Sequence, residues 1–441
     1  MKKKVNKYVV FAIVAFFLGS LFPFAYSGVD TGLDQLKILV DVMSKIQDSY
    51  VDQTNPKDLI KGALYGMVSR LDQFSEFIDA EDMARMREET KGEFGGVGMR
   101  LNTPKDGVLI VVTPMKNTPA YKAGVEPGDK VVKIDGKEVK DLKSDDAVSM
   151  LRGIVGTKVK IEIERKGADG KIALKKFTLK REIIVPEVIF SRMLDKNVGY
   201  IYVADFSGHT NEDFETALNN LSKRGMKSLV IDLRFNPGGL LDSAVDMMKM
   251  FVGENKLIVY TKGRKQEFFK EYRSDSKAKY ENLPVAVLIN EGSASGSEIV
   301  AGAFQDYKRA TLIGRRSFGK GSVQQVMMLP DGSGLRITVA KYYTPKGRMI
   351  HKNFKAPNPN LTGGIVPDIE VPFDLNEEQK AIYYTTNYIY SPSAKTAKPE
   401  MTGKFNDPVL NKAVEVLTAP KPAAPAQTPA AAQPQKVQTA K

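Results

Sequence analysis

The chain has 441 residues, 65 Lys+Arg against 52 Asp+Glu, two histidines, no cysteine and no tryptophan. That length allows two or three domains with full cores, and a 42% hydrophobic, 27% charged composition excludes global disorder. Zero cysteine excludes disulfides, thiolate nucleophiles and Cys-ligated zinc, and two histidines leave no basis for a His-rich metal centre.

The net charge of +13 invites a nucleic-acid reading, but seven of those charges lie at the two ends. Lys2, Lys3, Lys4 and Lys7 precede an uncharged run from Tyr8 to Val29. A basic segment followed by an apolar one is an export signal, so residues 1–27 are expected to carry the chain out of the cytoplasm. Ala25-Tyr26-Ser27 fits a cleavage site, and the same run is long enough to stay as a membrane anchor. Both outcomes place the working compartment in the periplasm or another extracytoplasmic space, without nucleic acid as a partner.

Residues 28–91 read as a helical cap or dimerisation segment. Leu33, Leu36, Val40, Met43 and Ile46 form one apolar stripe, and Asn55-Pro56 opens a second helix as N-cap and first turn. Leu59, Ile60, Ala63, Leu64, Met67 and Leu71 are its expected buried face. Residues 92–182 change to short alternating strands: Val108–Val112, Lys130–Ile134, Val159–Ile163 and Ala173–Leu179, with a helix over Asp145–Arg152. The glycine-rich entry Phe94-Gly95-Gly96-Val97-Gly98, the Pro127-Gly128-Asp129 turn and the Asp135-Gly136 turn occur in the order of a PDZ domain, which this region resembles. That resemblance implies that Phe94, Gly95, Gly96, Val97 and Gly98 bind a peptide's terminal carboxylate while the peptide adds a strand to the sheet edge. The plainer alternatives are glycines that close a tight turn or cradle a phosphate.

Residues 183–378 alternate strand and helix, which predicts an α/β layered domain with a largely buried sheet. Val198–Val203, Ser228–Leu233, Lys256–Tyr260, Val285–Ile289 and Thr311–Ile313 are strands. Asn211–Lys223, Leu240–Phe251 and Ser297–Lys308 are helices. A helical segment follows over 379–417, with Asp407–Leu417 its clearest part. The Ala/Pro/Gln tail over 418–441 has too little apolar surface to fold.

Chemistry concentrates in two stretches. Ser293-Ala294-Ser295-Gly296-Ser297-Glu298 clusters small residues between a buried strand and a helix start, where free N–H groups can face an anion. A serine there can be a nucleophile beside an oxyanion site. Ser317-Phe318-Gly319-Lys320-Gly321-Ser322 then sets a lysine between two glycines before the strand Val323–Leu329. A lysine base must lose its proton near neutral pH, which burial favours; a surface hairpin lysine is the plain alternative. A phosphate-binding loop fails because Gly321 stands where Ser or Thr is needed, and the glycines argue against the helix that a Ser317-x-x-Lys320 nucleophile motif requires.

Together with Asp232-Leu233-Arg234-Phe235-Asn236-Pro237-Gly238-Gly239, these stretches resemble the carboxy-terminal processing (tail-specific) peptidase family from about Leu33 to Phe373. The resemblance implies a multidomain mixed α/β protein: a PDZ domain, an N-terminal helical segment and a crotonase/Clp-protease-like core with a Ser/Lys dyad and no cofactor. It puts the nucleophile at Ser295, the base at Lys320, the assisting glutamine at Gln324, and the oxyanion donors at the amide of Gly296 and one in the Asn236-Pro237-Gly238-Gly239 turn, Gly239 ahead of Gly238. Arg234 then braces the turn or makes a surface salt bridge, and Asp306 is structural. Protein or peptide tails are the implied substrates. The helical N-terminal segment, with Asp407–Leu417 as its partner helix, separately suggests a homodimer. Three departures stand out: a longer 351–364 loop, Leu71-Asp72-Gln73-Phe74-Ser75 in place of Asp-Pro-His-Ser, and Gly296 where alanine is common. A histidine-based serine protease would need His209 or His351 beside Ser295. An inactive PDZ scaffold would have no use for Ser295, Lys320 and Gln324 together. Eight Lys+Arg against four acids over Gly253–Lys279 leave a local excess that suits an anionic terminus or simply solubility.

Overall fold

The computed structural model describes residues 32–102, 108–167, 169–358, 362–384, 386 and 406–419. The predicted export signal at 1–27 and the tail beyond 419 lie outside these residues. Among the described residues, no helix is long and apolar enough to cross a membrane. The chain divides into two units, residues 1–77 and 78–441.

The first unit holds α1 (Leu33–Ser49) and α2 (Pro56–Val68). Asn55 caps α2 as expected, accepting the Lys57 N–H at 3.0 Å, with Pro56 in the first turn. The stripe expected to be buried is largely exposed: Leu36, Val40, Ile60, Met67 and Leu71 lie open. Helical periodicity specifies an apolar face but not what covers it.

The second unit begins with α3 (Ala80–Lys91), so the expected 28–91 helical segment is divided between the two units. Met83 on α3 is buried against Gly334, where a Cβ would lie 2.3 Å from its sulfur. Next come β1 (Phe94–Gly96), β2 (Met99–Asn102), β3 (Leu109–Pro114), β4 (Lys130–Ile134), α4 (Ser144–Leu151), β5 (Lys158–Lys166), β6 (Ile172–Lys180) and β7 (Glu182–Ile184). Strands β2-β3-β4-β5-β6 form one antiparallel sheet with β2 at its edge, and β1 pairs with β7. Leu109, Val111, Val131, Ile134, Val159, Ile161 and Ile163 pack on Ala147 and Leu151 of α4 as its core. Asp129 of the Pro-Gly-Asp turn is buried, accepting the Glu126 N–H at 2.8 Å and the Arg165 Nε–H at 2.6 Å, so this turn signal has a structural cause.

The larger part runs through β8 (Ile189–Met193), β9 (Val198–Val203), α5 (Thr210–Lys223), β10 (Ser228–Asp232), α6 (Leu241–Lys249), β11 (Leu257–Gly263), β12 (Lys270–Arg273) and β13 (Val285–Ile289). It continues with α7 (Gly296–Asp306), β14 (Ala310–Gly314), β15 (Ser322–Met328), β16 (Gly334–Tyr343), β17 (Ile369–Glu370), α8 (Leu375–Tyr384) and α9 (Pro408–Thr418). The main sheet has the order β8-β9-β10-β13-β14-β17, parallel except for β8. Every residue of β9, β10 and β13 is buried, as expected of a parallel sheet covered on both faces. Ile201, Val203, Leu229, Ile231 and Val287 meet Phe214, Leu218, Met247, Phe251 and Phe304 of the helical layer. On the opposite face Tyr200, Val230, Ala286 and Leu288 meet Val409, Leu410 and Ala413 of α9. Each fully buried Val, Leu, Ile, Phe or Met side chain among them contributes about 1.5–3 kcal/mol. Helix α9 runs through Thr418, one residue into the stretch read as an unfolded tail.

Candidate active site

Loops at the carboxyl ends of β9, β10, β13 and β14 converge on one point, the position where open parallel sheets bind ligands. Ser295 sits on the β13–α7 turn at φ 52° and ψ −113°, a strained backbone for a non-glycine residue. The three serines of this turn differ in what their hydroxyls do. Ser293 Oγ–H donates to the Leu233 carbonyl at 2.8 Å, and Ser297 Oγ–H to the Asn236 carbonyl at 2.9 Å; both residues are fully buried. Ser295 alone of the three is partly exposed.

The turn after β10 packs directly on Ser295. Asn236 organises it: its Nδ2–H donates to the Val203 carbonyl at 2.9 Å, its Oδ1 accepts the Gly238 N–H at 2.8 Å, and its carbonyl accepts the Ala294 N–H at 3.0 Å. Gly238 is at φ 106°, and a Cβ there would lie 2.6 Å from Ser295 Cβ and 2.8 Å from the Gly296 nitrogen. Gly239, at φ 134°, would drive a Cβ to 2.2 Å from the Phe206 carbonyl oxygen. Both positions therefore need glycine. With the Gly238 amide committed to Asn236, the Gly239 N–H and the first N–H of α7, at Gly296, have no backbone or side-chain acceptor among the described residues.

Lys320 is half-buried on the loop between β14 and β15. Two residues that carry no role in the sequence motifs, Glu298 and Tyr342, bind this loop to the serine turn. Glu298, fully buried three residues after Ser295, accepts the Ser295 N–H at 2.9 Å and the Lys320 N–H at 2.8 Å on one oxygen. Its other oxygen accepts the Gly319 N–H at 2.7 Å and the Ser317 hydroxyl at 2.5 Å. Burial outweighs these four hydrogen bonds and pushes the Glu298 carboxyl up to about 7. The buried Tyr342 hydroxyl on β16 lies against the Ser295 carbonyl, at 3.0 Å, and the Lys320 carbonyl. Burial, reinforced by the Glu298 charge, raises its pKa well above that of a free phenol. The Ser295 and Lys320 backbones are thus pinned at both N–H and C=O. Ser295-x-x-Glu298 is a capping-box spacing and was the readable signal for Glu298; nothing in the sequence singles out Tyr342.

Gln324, on β15, donates its amide to the hydroxyls of Ser322 at 2.9 Å and Thr338 at 3.3 Å, with the carbonyl oxygen left for a third donor. The long 351–364 loop docks on the lysine loop. Lys352 N–H donates to the Gly319 carbonyl at 2.8 Å, and the Phe354 ring packs on Phe318 with centroids 6.1 Å apart. His351 is half-buried with its ring edge-on to Phe354.

Arg234 is fully buried, which removes the surface-salt-bridge reading. Burial alone would lower its pKa, but Asp232 and Asp407 outweigh that and hold it well above the usual value. Asp306 accepts the Lys346 N–H at 2.8 Å and pairs with Arg348, a structural tie. The basic stretch after Gly253 is partly neutralised by exposed ion pairs of Lys265 with Glu267, Arg273 with Glu271 and Lys279 with Glu215.

Phe94, Gly95, Gly96, Val97 and Gly98 lie apart from these loops, around β1. Val97 is buried in the small sheet's core, and the Arg152 guanidinium stacks 4.4 Å from the Phe94 ring centroid. A Cβ on Gly95 would lie 2.1 Å from the Gly153 carbonyl oxygen, and one on Gly98 2.3 Å from Thr118 Cβ, so both glycines have a packing cause of their own. A cleft of about 500 Å³, lined by Arg100, Pro114, Lys116, Glu187, Asp213 and Asn220, does not include the dyad candidates.

Comparison with known proteins agrees with this architecture. Residues 197–371 match peptidase family S41, and residues 110–165 match a PDZ domain. The chain is 38% identical over 384 residues to a carboxy-terminal-processing protease of Bartonella bacilliformis, covering 85% of each chain. It is 36% identical over 345 residues to the carboxy-terminal processing protease CtpA of Bacillus subtilis, covering 78% of this chain and 72% of the relative. Among solved structures, the photosystem II D1 C-terminal processing protease is 28% identical with a TM-score of 0.44, covering 77% of this chain and 95% of that one. This mixed α/β chain belongs to peptidase family S41, as a serine-type member of the carboxy-terminal processing proteases that also carries a PDZ domain.

Proposed function

We propose that the chain is an exported endopeptidase that cuts proteins near their carboxy termini, with Ser295 as nucleophile and Lys320 as general base. The observation that carries this reading is the double pinning of the Ser295 and Lys320 backbones by Glu298 and Tyr342, beside the one serine of three whose hydroxyl is not tied to a carbonyl. Neutral Lys320 Nζ takes the Ser295 Oγ proton as Oγ adds to the scissile carbonyl. The oxyanion is met by the Gly239 and Gly296 amides. The C–N bond breaks as Lys320 returns the proton to the leaving amine, and water then repeats the sequence to release the acid. Gln324 orients the lysine. Incubating wild type and Ser295→Ala with extracytoplasmic proteins tests the reading. New carboxy termini are expected with wild type alone; their equal appearance with Ser295→Ala would refute it.

The PDZ domain reads the substrate tail and gates its access to the core. Support comes from β2, which among the described residues pairs only with β3 and so offers its other edge to an added strand, next to the Phe94–Gly98 entry. Amidating the carboxylate of a test peptide is expected to raise KM roughly tenfold, the weight of one charge-assisted contact of about 1.4 kcal/mol. An unchanged KM would remove the PDZ domain as reader.

Export rests on the composition of residues 1–27, and fractionating cells that express the chain with and without them tests it; a cytoplasmic full-length product would count against it. A homodimer formed through the open apolar stripe of α1 and α2 completes the proposal. Sedimentation is expected to give about twice the 48.7 kDa chain mass, and the single-chain mass for Met67→Glu/Leu71→Glu. A wild-type monomer at micromolar concentration would contradict it.

A further inference from the structure

Asp407 stands at the N-terminus of α9, 173 positions from Arg234, yet the two side chains meet end-on. Arg234 Nη1–H donates to Asp407 Oδ1 at 3.1 Å and Nη2–H to Oδ2 at 2.8 Å. The other edge of the guanidinium serves Asp232 at 2.6 to 3.1 Å, and Nη1 also reaches Glu378 Oε1 at 3.1 Å. Glu378 passes the chain of contacts on. Its second oxygen accepts Asn290 Nδ2–H at 3.0 Å and Arg315 Nη2–H at 2.7 Å. Asn290 Oδ1 in turn accepts the N–H groups of Phe235 and Gly292, each at 3.0 Å. The network therefore ends on both sides of the reacting centre: on Phe235, at φ 58° where the oxyanion turn begins, and on Gly292 of the serine turn.

We infer that Asp407 is a positioning residue for the peptidase reaction, locking Arg234 end-on so that the Phe235–Gly239 turn holds its amide at the height the oxyanion needs. This rests on the assignment of Ser295 and of the Gly239 amide made above. The charges support it: Arg234 and Arg315 already face Asp232, Glu378 and, at the exposed end, Glu291, so the two cations are neutralised without Asp407. What Asp407 adds is geometry, because a carboxylate fork fits a guanidinium end in one orientation.

Asp407 also caps α9, its Oδ1 accepting the Leu410 N–H at 2.9 Å. Asp407→Asn separates the two duties. Asparagine caps helices as well as aspartate does, but its NH2 group would oppose Arg234 Nη2–H and push the guanidinium off its seat. In the full chain, Asp407→Asn is expected to lower kcat on an apolar-tailed peptide roughly 10²-fold, the usual consequence of a misplaced catalytic group, with KM unchanged. Inhibition by a peptide boronic acid, whose tetrahedral oxyanion occupies the same hole, should weaken in proportion to kcat/KM. Leu410→Ala, which loosens the same helix against the sheet without touching the carboxylate, is expected to lower the unfolding temperature and leave kcat as in wild type.

Full kcat in Asp407→Asn overturns the assignment, as does an equal kcat loss in Leu410→Ala, which would make helix docking the whole effect. Should Asp407→Asn fail to fold, Asp407→Glu decides in its place: the charge is kept and the fork displaced, so kcat must still fall at constant KM. Ser295→Ala runs alongside. Turnover surviving there refutes the dyad, whereas full turnover in Asp407→Asn where Ser295→Ala is inactive refutes the Asp407 role alone.

Discussion

Ser295→Ala and Lys320→Ala are each expected to reduce kcat on an apolar-tailed peptide by ~10³-fold or more, while the peptide's Kd stays within about a factor of two. The binding energy is proposed to come from strand addition and carboxylate capture on the small sheet, away from the loops that hold the dyad. Lys320→Arg sharpens the test. Arginine restores a cation on a long stem but cannot deprotonate, so a base is lost where a mere electrostatic group would be rescued. Lys320→Arg should therefore be as inactive as Lys320→Ala. Activity recovered in Lys320→Arg would give the lysine a charge role only. His209→Ala and His351→Ala are expected to keep turnover within about threefold of wild type, since neither is needed as a base. Loss of turnover in either would reopen the histidine-based reading.

How far the sequence carried this site depends on whether the relevant interaction is local. The runs Val198–Val203 and Val285–Ile289 match their strands because a buried parallel strand is apolar on both faces, a property of neighbouring residues. Asn55-Pro56 and Asp407-Pro408 declare their helices for the same reason, each Asx side chain capping the N–H groups just beyond it. Ser295 and Lys320 were found as short motifs, and the packing around them explains the glycines at 238 and 239. Partners brought together only by folding left no local trace. Arg234 was open to two readings because its ligands Glu378 and Asp407 lie 144 and 173 positions away. Tyr342 is one tyrosine among 17 until the sheets are assembled. The stripe on α1 and α2 marks the opposite limit: its period is plain, but burial depends on what lies over it.

Glu298→Gln is expected to lower kcat roughly 10²-fold in a folded protein, because the amide can satisfy only half of what the carboxylate holds. One oxygen of Glu298 serves the Ser295 and Lys320 amides, the other the Gly319 amide and the Ser317 hydroxyl. In glutamine one of these positions becomes an NH2 group facing donors, and the serine and lysine turns lose their common anchor on one side. Protonation of Glu298 does the same in wild type by turning an acceptor into a donor. Turnover should accordingly rise with pH through about 7, where the carboxyl ionises in the folded chain. Stability runs the other way. A carboxyl raised from 4.5 to about 7 keeps its proton in the folded state after the unfolded chain has released it. This group's stabilising contribution is therefore complete below 4.5 and lost as pH rises to about 7. At ~1.4 kcal/mol per pH unit, the loss is on the order of 3 kcal/mol at most. Urea unfolding at pH 5 and pH 8 is expected to show that decline in wild type, and a smaller one in Glu298→Gln, which has no proton to release. The same pH slope in both proteins, or wild-type kcat in Glu298→Gln, would show that the buried carboxylate does not hold the dyad together.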